Sequence, residues 1–185
     1  INQLSSLFEK VIIVSHDIKS KEKRNIPDNI STYRERYPLA FFEKVIALKY
    51  VFSSKFLNEL VIIRSTYNKR ITLGILKTMI LSLCNAQRLK LVYDKFINQY
   101  KDENLFCYSY WCNDSALSLS LLNEKYIDIK SFSRIHRWDV YFEESKHNYL
   151  PFRHFIYNKL DAIFSISFDG IKYAEIKWKL NDVKK

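Results

Sequence analysis

Glycine is nearly missing from this chain: Gly74 and Gly170 are the only two among 185 residues. A loop that cradles phosphate on its backbone needs several glycines close together. The G-x-G-x-x-G and P-loop signatures are therefore excluded within the chain, and no G-x-S-x-G nucleophile elbow occurs either. Proline numbers three, so tight turns are few and helices and buried strands should dominate. Cysteine also numbers three, at Cys84, Cys107 and Cys112. An odd count in apolar surroundings favours free, buried thiols in a reducing cytoplasm over a disulfide framework. Cys107 and Cys112 have no second pair, and His147 and His154 lack the spacing of a common zinc motif, so no metal is expected. Long hydrophobic runs are missing too. The richest, residues 71–83, is interrupted by Lys77 and falls short of the roughly 20 residues that cross a bilayer. The opening Ile1-Asn2-Gln3 has neither Met nor a signal-peptide pattern, and the expectation is that the protein's front lies before it.

Positive charge is plentiful. Thirty Lys and Arg against twenty Asp and Glu give a net charge of +10. Such an excess suits nucleic acid, anionic lipid or a phosphorylated ligand. The bases are spread along the chain rather than gathered in one stripe, which argues against nucleic acid. Nearly half of the residues (48%) are hydrophobic, enough for one folded domain with a real core.

The pattern along the chain alternates. Residues 2–8 read as the end of a helix, and Val11-Ile12-Ile13-Val14 is apolar on both faces, as a buried parallel strand is. A charged loop spans 19–29, and 30–33 is a short edge strand. Residues 38–101 form a helical block within the domain. Pro38 stands at a first helical position, and Phe41, Val45, Leu48 and Phe52 make one apolar stripe at helical spacing. Two shorter helices follow near 57–65 and 71–84, and Leu89, Val92, Tyr93, Phe96, Ile97 and Tyr100 mark an amphipathic one after them. Residues 105–111 return to strand character, and Asp114 or Ser115 caps the helix through Leu122. Another strand at 127–135, a helix opened by Pro151, a strand at 162–167 and a last helix through about Lys179 complete the order. Strands alternating with helices predict an open, mostly parallel α/β sheet of Rossmann type with flanking helices and a helical insertion. In such sheets ligands sit beyond the carboxyl ends of the strands. Asn113, His136 and Ser167 each follow a predicted strand, so one rim should gather all three.

Chemistry concentrates in Ser133-Arg134-x-His136-x-x-Asp139-x-Tyr141. A histidine at a strand end can hydrogen-bond a sugar hydroxyl or a phosphate oxygen. Arg134 offers a fixed fork of donors for an anion. Asp139 can orient the imidazole or pair with Arg134 or Arg137, and Trp138 and Tyr141 offer flat faces to a sugar ring. The same residues also suit a plain structural network, with Arg134 and Asp139 as an ion pair and Trp138 in the core. Ser167 and Gly170, in Ser-Ile-Ser-Phe-Asp-Gly, pass from strand to helix, where free amides favour anions. They serve a capped helix equally well. Tyr108-Ser109-Tyr110-Trp111 is aromatic enough to line a groove, though such density is also what a core strand shows.

Taken in order, "YSYWCNDSALSLSLL", "SFSRIHRWDVYFEE" and "NYLPFRHFIYNKLDAIFSISFDGIKY" resemble the amino-terminal domain of bacterial family 4 glycosyltransferases, which have the GT-B fold. The likeness covers about 105–173, its relatives of closest pattern serve capsular, exopolysaccharide and O-antigen assembly, and "QLSSLFEKVIIVSHD" is similar to that family's first helix and second strand. The resemblance implies a retaining transfer of a sugar from a nucleotide-sugar to a lipid-linked or glycan acceptor, with this domain on the acceptor side. His136 then matches the histidine that reaches the reacting sugar, Arg134 and Asp139 the flanking motif positions, and Ser167 and Gly170 the turn beside the cleft. Trp138 and Asn113 complete the expected binding residues. Arg137 stands where many relatives have glycine. Neither the family's first strand with its glycine loop nor its nucleotide-sugar domain is within the chain, so the expectation is a domain incomplete at both ends and inactive alone. No metal or other cofactor is implied; the nucleotide-sugar is a substrate. A cytoplasmic place is expected; Lys44, Lys49, Lys55, Arg64, Lys69 and Arg70 could meet an anionic membrane face, where a lipid-linked acceptor lives, and suit a plain solvated helix face equally well. Two other readings stay open: a basic, non-catalytic binding module, and a scaffold of polysaccharide assembly.

Overall fold

A computed structural model describes residues 2–16, 25–35 and 40–180. Pro38, Asp17, most of the predicted loop at 19–29 and the tip at 181–185 lie outside the described residues. The chain divides into two compact units, residues 1–41 and 42–185. It is an α/β protein whose strands form parallel sheets flanked by helices.

The first unit holds helix α1 (Asn2–Ser5) and strands β1 (Val11–His16) and β2 (Ile30–Glu35), paired in parallel from Val11 opposite Ile30 to His16 opposite Glu35. Asn29 fastens the turn before β2. Its amide donates to the Ser5 carbonyl at 2.8 Å and the Phe8 carbonyl at 2.9 Å.

The second unit begins with α2 (Phe41–Ile46, shared at its first residue), a 3-10 segment (Ala47–Phe52) and α3 (Ser54–Ser65). Here the expected stripe fails. Phe41, Val45, Leu48 and Phe52 are all more than half exposed. The helix ends at Ile46 and tightens to three residues per turn, so the stripe loses its phase. The two helices expected at 71–84 and after Leu89 are one, α4 (Leu73–Gln99), about 40 Å long at 1.5 Å per residue. Neither Pro nor Gly interrupts Asn85-Ala86-Gln87-Arg88. The buried face simply runs on through the small Ser82 and Ala86.

Three strands follow, β3 (Phe106–Ser109), β4 (Lys130–Ile135) and β5 (Ala162–Ser165), as one parallel sheet in the order β3-β4-β5. Ser109 pairs with Ser133, and Ile135 pairs with Ser165. Helices α5 (Asp114–Leu122) and α7 (Arg153–Lys159) make the two crossovers. They pack on each other, and α5 packs on α4. Every residue of α5 from Ala116 to Leu122 is buried, the serines included, as befits a helix enclosed on all sides. Asp114 joins α5 to α4, accepting from Ser82 Oγ at 2.5 Å and Asn85 Nδ2 at 2.7 Å. The helix cap is Asn113, not Asp114 or Ser115: its side chain accepts from the Ser115 N–H at 3.0 Å. Pro151 does not open α7. It precedes Phe152, which caps the helix at φ 60° with its ring fully buried.

Beneath α7 lies a buried polar join. Glu59 of α3 accepts from the Tyr149 hydroxyl at 2.7 Å and the Phe152 N–H at 3.0 Å. Burial pushes its carboxyl up to about 7. The buried Arg153 donates through Nε to the Asp139 carbonyl at 3.1 Å and lies over the Trp178 ring.

Candidate functional site

Each strand of the second sheet hands the chain to a helix at the same edge. After β3 comes Asn113, the cap of α5; after β4 comes His136, the cap of the short α6 (Arg137–Val140); after β5 comes Ser167, the cap of α8 (Phe168–Lys177). The carboxyl ends are level because the register is parallel and unbroken. An open cleft of about 370 Å3 lies at this edge, lined by His136, Arg137, Tyr141, Glu144, Ser167 and Gly170, with Ile135, Val140, Ser165 and Ile166 as its remaining wall. That volume is within the range of small-ligand sites.

Of the residues expected at the site, His136, Ser167 and Gly170 are together in this cleft, and the others are placed elsewhere. Asn113 is exposed and spent on its helix cap. Trp138 is 66% exposed on α6, so it is no core residue. Arg134 is on the opposite face of β4 from Ser133 and Ile135 and does not line the cleft. It sits beside Tyr108, where burial of the phenol outweighs the cation and raises its pKa.

Asp139 is buried under the cleft. One oxygen accepts the His136 N–H at 2.5 Å and the other the Cys112 N–H at 2.7 Å. It thus fixes the turn after β4 to the turn after β3. Its carboxylate oxygens are given to backbone amides, in place of the ion pair expected with Arg134 or Arg137. Arg137 is held by Glu144 instead, Nη2 at 2.5 Å and Nε at 3.1 Å.

On the β5 side, the Ser167 hydroxyl accepts the Gly170 N–H at 3.1 Å, and Ser165 Oγ both donates to the Ser167 carbonyl at 2.8 Å and accepts the Ser167 N–H at 3.3 Å. A side chain at Gly170 would stand 2.6 Å from Ser165 Oγ. Gly170 is therefore where the last turn closes on the strand end.

His136 is the pivot of the site. Its ring lies against two exposed aromatics, Trp111 at 4.3 Å and Tyr110 at 5.0 Å between centroids. Sequence reading missed Arg137 with Glu144 as one paired unit, and it left Tyr110 and Trp111 undecided between groove and core. Alternation held half of the answer. Ser109 is buried, so alternation turns Tyr110 outward, but it would turn Trp111 inward; Trp111 is exposed because the strand ends at Ser109 and the chain bends at 110–111.

Among the described residues no group of three His, Cys, Asp or Glu could hold a metal ion, and no helix is long and apolar enough to cross a membrane. The three cysteines are free. Burial pushes the Cys107 and Cys112 thiols up to about 11, away from thiolate reactivity. No known family, curated protein or solved structure matches the chain.

Proposed function

We propose that this chain is the acceptor side of a retaining glycosyltransferase, which moves a sugar from a nucleotide-sugar to a lipid-linked or glycan acceptor of a surface polysaccharide. One observation carries the reading: consecutive parallel strands bring His136, Ser167 and Gly170 to one cleft at their carboxyl edge. That is where α/β sheets bind ligands. The three motifs of the resemblance name the same residues. In this role the His136 imidazole hydrogen-bonds the reacting sugar, and Ser167 and Gly170 shape the turn against which the acceptor rests. Asp139 is a positioning residue, acting through the His136 backbone. The donor nucleotide is held by a companion domain.

The lipid-linked acceptor places the protein on the cytoplasmic face of an anionic membrane. Exposed Phe42, Val45, Leu48 and Phe52, with the exposed Lys49 among them, support that placement. The test of the reading is sugar transfer by the whole polypeptide that contains this chain, given labelled nucleotide-sugars and membrane lipid extract. His136→Ala should lower transfer by about a hundredfold, the scale of a lost proton-handling or orienting group. Transfer equal to wild type would refute it and favour a scaffold.

A further inference from the structure

We infer that Tyr110 and Trp111 form, with His136, an aromatic corner that binds a pyranose ring of a neutral glycan. The inference rests on the acceptor reading above and adds a subsite to it. Both residues are exposed, Tyr110 at 54% and Trp111 at 42%, although they directly follow a buried strand residue. They meet each other at 84° with centroids 5.2 Å apart, and each also touches the His136 ring, which lines the cleft. The cleft's wall thus continues into an aromatic shelf with no gap in residues.

Geometry and charge select the ligand. Two rings set edge to face present one flat surface and one wall. They do not form the parallel slot that clasps a flat nucleobase. A pyranose has apolar C–H faces for the flat ring and hydroxyls around its rim for polar neighbours. Those neighbours are present. The His136 ring lines the cleft beside the two aromatics. Ser167, whose hydroxyl caps α8, lines the same cleft. An anion, by contrast, finds little to hold it. Arg137 is the one Lys or Arg in the lining, and Glu144 already neutralises it at 2.5 Å. A neutral polyol fits this balance better than a phosphate.

The three tryptophans supply the readout, because Trp178 is buried and Trp138 stands on α6. In two-dimensional NMR of the 15N-labelled chain, each indole N–H gives one signal, assigned through Trp111→Phe and Trp138→Phe. Titration with glucose-, galactose-, mannose- and N-acetylglucosamine-based trisaccharides should move the Trp111 signal with at least one of them and leave Trp178 in place. Tyr110→Ala should weaken that response by about tenfold, the scale of one aromatic contact. The unmoved Trp178 signal certifies that the variant is folded. A Trp111 signal silent to the whole panel overturns the inference, as does one that moves only with uridine monophosphate or oligo-dT. The two proposals fail separately. Saccharide binding at Trp111 with transfer unaffected by His136→Ala keeps the corner and removes the transferase. Transfer that needs His136 beside a silent Trp111 does the reverse.

Discussion

Asp139 holds the His136 N–H at 2.5 Å with one carboxylate oxygen and the Cys112 N–H at 2.7 Å with the other. A buried carboxylate that accepts two backbone amides ties two strand ends together through charge-assisted bonds. The bond is to the His136 backbone, so it fixes the turn that carries the imidazole. Asp139→Ala leaves the buried Cys112 amide without a partner and should cost about 1–3 kcal/mol in urea unfolding. Asp139→Asn keeps one acceptor oxygen and should cost roughly half as much. A loss below about 1 kcal/mol for the alanine variant would show that the bond does not organise this edge.

Glu59 makes stability depend on pH in an unusual sense. Its folded carboxyl titrates at about 7 against an ordinary 4.5, mainly through burial. Between those values the folded chain binds more protons than the unfolded one, so stability falls as pH rises. The contribution is fully present below 4.5 and lost on passing 7, on the order of 3 kcal/mol across the window. Glu59→Gln keeps an oxygen for the Tyr149 hydroxyl and the Phe152 N–H. It should flatten the slope of unfolding free energy between pH 5 and pH 7, roughly the span of the shift. An unchanged slope would assign the pH dependence to other groups.

Gly170 tests the closing turn of the cleft. In an open helix, alanine would improve on glycine by about 1 kcal/mol. Here its Cβ meets Ser165 Oγ at 2.6 Å, and that hydroxyl is committed to both the carbonyl and the N–H of Ser167. Moving it gives up both bonds. Gly170→Ala should therefore be destabilising by about 1–2 kcal/mol, and adding Ser165→Ala should recover part of the loss. A stabilised Gly170→Ala variant would mean that the serine yields freely.

The sheet was easy to read in the sequence because its signals are local. Continuous β-branched or alternating runs mark β1, β3, β4 and β5, ended by Ser, Asn or, after β4, His136, and their order with helices points to parallel pairing. Asn113, His136 and Ser167 were found as strand-end residues by that rule alone. What the sequence hid depends on distant partners. Nothing near Asp139 points to Cys112, 27 positions earlier. Arg137 had a nearer acid in Asp139, yet it reaches Glu144, because Asp139 turns inward to the amides. The helical block misled for a different reason. Spacing of four, three and four describes a stripe but does not say that something covers it.

The exposed apolar residues of that segment give the last prediction. Phe42, Val45, Leu48 and Phe52 are each more than half exposed, and Lys49 is exposed in the same segment. The nearby bases are partly engaged: Lys55 pairs with Glu124 at 2.9 Å, Lys69 lies over the Phe142 ring, and Lys49 itself lies over the Tyr50 ring. Apolar insertion, more than charge, should therefore carry membrane contact, with the net charge of +10 adding attraction to anionic lipid. In sedimentation with phosphatidylglycerol-containing vesicles the chain should bind, and Phe42→Ser with Phe52→Ser should weaken binding by about tenfold or more, as two buried aromatics lost would. Replacing Lys49 by Gln should cost only about 1 kcal/mol, or roughly fivefold. Equal binding of the double serine variant and wild type would move the contact away from this segment. Equal binding to phosphatidylcholine vesicles would remove the electrostatic part and leave the apolar one.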